Sequence, residues 1–125
     1  MTLLTEIAWL AGLLEGEGSF TLRRTGKGKY NTPAIDISLT DKDVLTRAAH
    51  LLGTQPSRAY KFKNSKEHHK PHYACRLAGR RAVGWMMTLF SFLGERRRQR
   101  IMGVVVEWRD KGRHPYRPQE VYCAK

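Results

Sequence analysis

Residues 9–20 read Trp-Leu-Ala-Gly-Leu-Leu-Glu-Gly-Glu-Gly-Ser-Phe, and this stretch contains both a helix signal and the point where the helix must end. Apolar residues recur with the i, i+3, i+4, i+7 spacing of one helix face, at Ile7, Leu10, Ala11 and Leu14. The spacing predicts a helix over residues 4–15. Its opposite side is also apolar or small, so we expect this helix to be buried on two sides.

Two carboxylates, Glu15 and Glu17, stand at the end of this predicted helix, bracketed by Gly16 and Gly18. A carboxylate at a helix C-terminus opposes the macrodipole, at a cost of about 0.3–1 kcal/mol. A divalent cation would compensate this charge, because carboxylate oxygens are ligands that Mg²⁺ prefers. A pair of ordinary solvated glutamates is the competing interpretation, and the spacing alone does not separate the two.

The composition favours a polyanionic partner. The 125 residues include 23 Lys and Arg against 11 Asp and Glu, which gives a net charge of +12. Nucleic acid fits this charge better than an anionic membrane surface does. The longest apolar run, Ile7 to Leu14, is far shorter than the ~20 residues of a membrane span. We expect one domain over residues 1–110 and a basic tail over 111–125.

The two cysteines and the N-terminal residues bear on the cellular compartment. Cys75 and Cys123 are too few and too far apart for a disulfide framework or a zinc quartet. The first residues lack the positive region of a secretory signal. We therefore expect a reducing compartment that contains DNA, either the cytoplasm or the interior of an organelle, and not secretion.

The remaining patterns predict an α+β fold. Period-two alternation over residues 18–40 indicates a hairpin, and Thr40 to Asp43 resembles a capping box ahead of a helix over 42–52. A second pair of strands is expected at 57–63 and 72–77, followed by two helices marked by Val83 to Phe90 and by Ile101 to Trp108. The order is α-β-β-α-β-β-α-α, with one antiparallel four-stranded sheet.

One face of that sheet is expected to be polar and basic, and a β-ribbon of this kind fits the DNA major groove. Arg23 and Arg76 are the best candidates for reading guanine, whereas loop lysines suit phosphate contacts. The full set of candidate DNA-contacting residues is Ser19, Thr21, Arg23, Lys27, Lys29, Asp36, Ser38, Thr40, Lys61, Lys63, His72 and Arg76.

The stretch Leu10 to Gly18 resembles the nine-residue motif of the LAGLIDADG homing endonucleases. Glutamate replaces aspartate at both acidic positions, Glu15 and Glu17, and Gly16 replaces the second alanine. The other six positions are identities or hydrophobic equivalents: Leu10, Ala11, Gly12, Leu13, Leu14 and Gly18. The predicted element order also matches the αββαββα(α) fold of this family over about residues 5–109.

The resemblance implies catalytic roles for particular residues. Glu17 would bind a catalytic Mg²⁺, or another divalent cation such as Mn²⁺, with help from the Gly16 carbonyl. Arg96 would supply the catalytic cation, with Arg97 and Arg98 as close competitors. Asp41 follows the second strand, where the family positions water, although it equally suits a helix-capping role.

The resemblance also implies an assembly. One motif occurs in the chain, so the single-motif type is expected to form a homodimer through Trp9, Gly12, Leu13 and Gly16. Such a dimer would make metal-dependent double-strand breaks at a long near-palindromic site, as an intron-encoded enzyme. The alternative is an RNA maturase or a DNA-binding protein of the same fold that does not cleave.

Overall fold

The structure, a computed structural model, describes residues 3–25, 27, 30–57 and 70–112. Its helices and strands are α1 (Leu4–Glu17), β1 (Gly18–Thr25), β2 (Tyr30–Leu39), α2 (Lys42–Leu52), β3 (Tyr73–Ala78), α3 (Arg80–Leu89) and α4 (Glu95–Glu107). A 3₁₀ turn (Phe90–Phe92) joins α3 to α4, and a π-helical turn (Trp108–Gly112) follows α4. The predicted α+β order is confirmed for these elements.

The predicted fourth strand, 57–63, lies outside the described residues except for its first position. There the Ser57 amide donates a hydrogen bond to the Ala74 carbonyl (2.6 Å), and the Ser57 hydroxyl accepts one from the Ala74 amide (2.9 Å). The chain thus lies beside β3 where the strand is predicted to begin. The predicted tail lies outside the described residues from position 113 onward.

The three described strands form an antiparallel sheet in the order β1-β2-β3. The register places Phe20 opposite Ile35, and Ile35 opposite Leu77, so that these apolar side chains share one buried face. The alternate residues form the exposed sheet face, which includes Ser19, Arg23, Ser38 and Arg76. The predicted alternation of buried and exposed positions is confirmed.

The helices cover the buried face of the sheet and complete a single apolar core. The residues that they contribute are Leu10 and Leu14 from α1, Leu45 and Leu52 from α2, Met86 and Leu89 from α3, and Ile101 and Val104 from α4. Within the described part of the chain, the buried set contains no polar or charged residue. None of the described helices is long and apolar enough to cross a membrane.

Within one chain, Gly12 and Gly16 of α1 are exposed while Leu10 and Leu14 are buried. Burial of α1 on its second side stays a prediction that depends on a partner chain. One sequence expectation was wrong. The predicted capping box does not form, because the N-cap residue of α2 is Asp41 and its side chain makes no capping hydrogen bond. On α3, Met86 is buried, whereas Met87 lies on the outer side of the helix and is 49% exposed.

Gly53 ends α2 in the left-handed conformation, with φ of +76°. The Arg81 guanidinium donates hydrogen bonds to the Leu52 carbonyl (3.2 Å) and the Gly53 carbonyl (2.8 Å). A Cβ at Gly53 would clash with this guanidinium as well as strain the backbone. The helix end therefore requires glycine.

Replacement of Gly53 by Ala is expected to lower the free energy of unfolding by about 1–2 kcal/mol. Gly84 provides a control of opposite sign, because a Cβ there meets no atom within 4 Å and alanine favours the helix interior. Gly84→Ala is expected to raise stability by about 0.5–1 kcal/mol. Denaturant unfolding measures both changes, and a Gly53→Ala protein as stable as the parent would contradict this account of the helix end.

Candidate functional site

Helix α1 passes directly into strand β1, with Glu17 as the last helical residue and Gly18 as the first residue of the strand. The Gly18 amide donates a hydrogen bond to the Leu14 carbonyl. A Cβ at Gly18 would lie 2.9 Å from both the Cα and the carbonyl oxygen of Leu14, so only glycine fits. Because of this close approach, the exposed Glu17 side chain lies at the end of α1, immediately before the strand that carries Ser19 on the exposed sheet face.

Arg97 of α4 holds this junction together. Its Nη1 donates a hydrogen bond to the Gly18 carbonyl (2.6 Å), and its Nη2 donates one to the Glu15 carbonyl (3.1 Å). Its Nε also lies 3.7 Å from the Glu15 carboxylate, and its side chain is only 15% exposed. The guanidinium therefore satisfies carbonyl groups that a helix end leaves without backbone partners, and it opposes the negative end of the helix dipole.

Two further contacts join the start of α4 to the same junction. The Glu15 carboxylate accepts a hydrogen bond from the Gly94 amide (2.5 Å), and Arg100 donates one to the Phe20 carbonyl (2.8 Å). Glu15 is thus committed to a structural role. Glu17, in contrast, makes no hydrogen bond or ion pair with the described residues. The structure separates the two glutamates, which spacing could not do.

The same contacts separate Arg97 from the other two candidate arginines, and burial separates Arg96 from Arg98. Arg97 is engaged in the junction, and Arg98 is half-buried. Arg96 is exposed and makes no side-chain hydrogen bond or ion pair within the described residues. It lines a cleft of about 360 Å³ together with Ser19, Phe20, Thr21, Arg97 and Arg100. The Thr21 hydroxyl in this cleft is buried and has no hydrogen-bond partner among the described groups.

Asp41 lies at the junction of β2 and α2, where it contacts Asp43. A hydrogen bond with Asp43, and then repulsion by its charge, raise the pKa of the Asp41 carboxyl. The pKa of Asp43 is lowered by the same hydrogen bond, and then by backbone amides that include that of Val44. The described contacts join Asp41 to Asp43 and not to Glu17 or Arg96. A water-positioning role for Asp41 stays a prediction.

The Glu17 carboxylate and the Gly16 carbonyl are oxygen ligands, which suit a hard cation whose remaining ligands are also oxygen atoms. Within the described residues, no group of three or more His, Cys, Asp or Glu side chains is placed to hold a metal ion. Burial, together with the charge of Asp36, raises the pKa of the Cys75 thiol to about 11, and the side chain lies in the apolar core. One exposed carboxylate suits Mg²⁺ when phosphate oxygens and water supply the remaining ligands.

The exposed sheet face has a charged cluster at its centre. Arg76 Nε donates to Asp36 Oδ1 at 2.5 Å, and Arg23 Nη2 lies 3.8 Å from Asp36 Oδ2. Of the twelve candidate DNA-contacting residues, nine are described, and all of these are exposed or half-buried: Ser19, Thr21, Arg23, Lys27, Asp36, Ser38, Thr40, His72 and Arg76. Lys29, Lys61 and Lys63 lie outside the described residues.

The exposed side of α1 carries the four residues predicted to form a dimer interface. Gly12 and Gly16 are exposed, and a Cβ at either position would meet no atom within 4 Å. Leu13 and Trp9 are half-buried. Trp9 also packs under the Arg47 guanidinium, which lies 3.9 Å from the centre of its ring. Sequence reasoning missed Arg47, because no short-range pattern links α1 to α2.

No protein-family model and no curated protein sequence matches the chain. Solved structures do match it. I-CeuI, a group I intron-encoded homing endonuclease in complex with DNA, aligns with a TM-score of 0.62 at 14% identity over 87% of this chain and 56% of its own. I-CvuI, a homing endonuclease with DNA in 2 mM Mg, aligns with a TM-score of 0.59 at 15% identity over 85% and 69%.

A third structure carries the family name that the motif suggests. I-GzeII, a LAGLIDADG homing endonuclease in complex with its DNA target, aligns with a TM-score of 0.60 at 18% identity over 87% of this chain. The chain spans only 37% of I-GzeII and 56% of I-CeuI. The chain has the fold of LAGLIDADG homing endonucleases, as the resemblance of residues 10–18 predicted.

Replacement of Arg97 by Met is expected to lower the free energy of unfolding by about 1–3 kcal/mol, because two carbonyl groups lose a charged donor. Arg96→Met is the matched control, since the neighbouring arginine makes no such contact. Its effect is expected to stay within about 0.5 kcal/mol. Denaturant unfolding compares the two variants. Equal losses would show that Arg97 does not fasten the junction.

Proposed function

We propose that this chain is a homing endonuclease that cuts both strands of a long, near-palindromic DNA site as a homodimer, with a divalent cation. The observation that carries the proposal is Glu17, an exposed carboxylate at the end of α1 that has no hydrogen-bond or ion-pair partner among the described residues. The junction that holds it adjoins a cleft containing Arg96, in a fold whose solved neighbours include homing endonucleases bound to DNA.

Glu17 and the Gly16 carbonyl would hold Mg²⁺ or Mn²⁺. When bound, such an ion lowers the pKa of an attacking water and stabilises negative charge on a phosphate. Glu15 takes no part in this role, because the Gly94 amide and the Arg97 guanidinium occupy its carboxylate. The sequence stretch thus provides one metal-binding carboxylate per chain.

Arg96 is the protein cation for the developing phosphate charge. It is exposed, its guanidinium is not engaged elsewhere within the described residues, and its cleft includes Ser19 and Thr21 at the start of β1. A cation placed beside the negative charge that forms on the phosphate in the transition state would stabilise that charge. Arg97, which is committed to the junction, is not free for this role.

Double-stranded DNA is the proposed substrate because the exposed sheet face carries Arg23 on β1 and Arg76 on β3, the two strands that flank Asp36 on β2. Base edges in the major groove offer guanine acceptors that suit such arginines. The net charge of +12 adds attraction to the phosphate backbone that does not depend on sequence. Binding is therefore expected to weaken steeply as salt rises.

A homodimer is proposed because two strands require two copies of Glu17, and each chain supplies one. The exposed side of α1 has glycine at positions 12 and 16, where helix backbones can approach closely. Leu13 and Trp9 supply partly buried apolar surface next to them. A two-fold axis between two α1 helices would match a near-palindromic site.

Glu17→Gln tests the metal role. The amide keeps the size of the side chain but lacks the charge, so cleavage of a DNA site selected by binding is expected to fall by at least about 100-fold. DNA affinity without divalent cation is expected to stay within about threefold of the parent. Glu107→Gln, an exposed glutamate of α4, is the control that should cut normally.

Cutting by Glu17→Gln at the parental rate would refute the metal role of Glu17. Parental protein that retains DNA without cutting it under any divalent cation would favour the binding-only or RNA maturase alternative. RNA would then be the next ligand to test.

Gly12→Leu tests the dimer. The substitution meets open space within one chain, so the subunit should fold normally while the bulky side chain separates the paired helices. We expect at least about a 10-fold weaker dimerisation constant by sedimentation velocity. Gly103→Leu is the matched control, because Gly103 is also an exposed helical glycine with open space around it. A Gly12→Leu protein that stays dimeric and active would show that the interface lies elsewhere.

A further inference from the structure

We infer that Asp36 is a specificity residue that holds Arg76 in the orientation needed to read a guanine in the DNA major groove. The inference rests on the proposed DNA binding, but not on cleavage. It assigns separate roles to the two side chains: Arg76 contacts the base, and Asp36 positions Arg76.

Asp36 is an acidic residue in the middle of a basic surface. The register of the sheet places it in the central strand β2, directly opposite Ser19 on β1 and Arg76 on β3. A lone carboxylate at this point would repel the phosphates of a bound duplex. Here Arg23 and Arg76 outweigh it, and the three side chains together keep a net positive charge. Asp36 is therefore compatible with DNA at this face only as a partner of these arginines.

The contact of Asp36 with Arg76 uses only one edge of the guanidinium. Arg76 Nε donates to Asp36 Oδ1 at 2.5 Å, and the side chain of Arg76 is 46% exposed. Neither Nη atom of Arg76 hydrogen-bonds to a described group. Two parallel N–H donors are the group that matches O6 and N7 of guanine. An arginine fixed through Nε loses less side-chain freedom when it binds, and its Nη donors keep one direction, so a base without two matching acceptors is bound less well.

The oxygens of Asp36 are poorly placed to contact a base. Oδ1 accepts the hydrogen bond from Arg76, and Oδ2 is buried and has no hydrogen-bond partner among the described residues, with Arg23 Nη2 3.8 Å away. A carboxylate that read DNA directly would present a free oxygen to a cytosine amine. The burial of Oδ2 argues against direct reading and for a positioning role.

The test compares the base preferences of variants in binding alone. A randomised double-stranded DNA library is bound without divalent cation by the parent, Asp36→Ala and Arg76→Ala, and the retained DNA is sequenced. The parent is expected to prefer guanine at one position of each half-site. Arg76→Ala should abolish that preference, and Asp36→Ala should reduce it by about 10-fold at the same position, with other positions unchanged.

Two further variants make the comparison specific. Asp110→Asn weakens an exposed contact between neighbouring Asp and Arg side chains, Arg109 Nε to Asp110 Oδ1 at 2.8 Å, and neither residue belongs to the cluster of Asp36, Arg23 and Arg76. It should leave every base preference unchanged. Asp36→Asn keeps one acceptor oxygen and should give an intermediate loss, and it replaces Asp36→Ala if the latter does not fold. Thermal unfolding confirms that each protein is folded.

An unchanged guanine preference in Asp36→Ala would overturn the inference and leave Asp36 with a purely structural cross-strand role. A loss at a base pair other than the one lost in Arg76→Ala would also overturn it, because Asp36 would then read its own base. In both cases the proposed DNA binding stands. If the parent retains no DNA, the proposed function fails together with the inference.

Discussion

The hydrogen bonds of Arg97 to the carbonyl groups of Glu15 and Gly18 hold the position on which the proposed site depends. They tie the last turn of α1 and the first residue of β1 to α4, and Glu17 lies between the two bonded residues. The core places the helix and the sheet, and the hydrogen bond from the Gly18 amide to the Leu14 carbonyl closes the turn between them. Arg97 adds the contact that joins this turn to α4. A guanidinium does so because its planar fork reaches two carbonyls at once.

This interaction separates roles within a short run of like residues. Glu15 bonds within the junction, and Glu17 stays exposed. In the same way Arg97 bonds within the junction, and Arg96 stays exposed. One glutamate and one arginine thus have structural roles, while a glutamate and an arginine close by in sequence are proposed to act in the reaction. The sheet repeats the arrangement, because the Asp36 carboxylate accepts from Nε of Arg76, and neither Nη group of Arg76 hydrogen-bonds to a described residue.

Periodicity predicted most of the fold because burial follows residue spacing. The α2 bounds agree with the predicted 42–52, and the alternation at Phe20, Ile35 and Leu77 predicted the buried face of the sheet. The role of Arg97 was not predictable, because it depends on contacts across about 80 residues of sequence. The motif supplied the resemblance and both glutamates, but spacing could not show that only Glu15 would find partners in α4.

The central claim is that this chain cuts DNA through paired copies of one carboxylate. The most direct measurement incubates the purified protein with a randomised double-stranded DNA library, with and without Mg²⁺, and sequences the broken ends. The account predicts paired breaks, dependent on the metal, on both strands of one near-palindromic sequence. Breaks that occur equally without a divalent cation, or that show no common sequence, would contradict it.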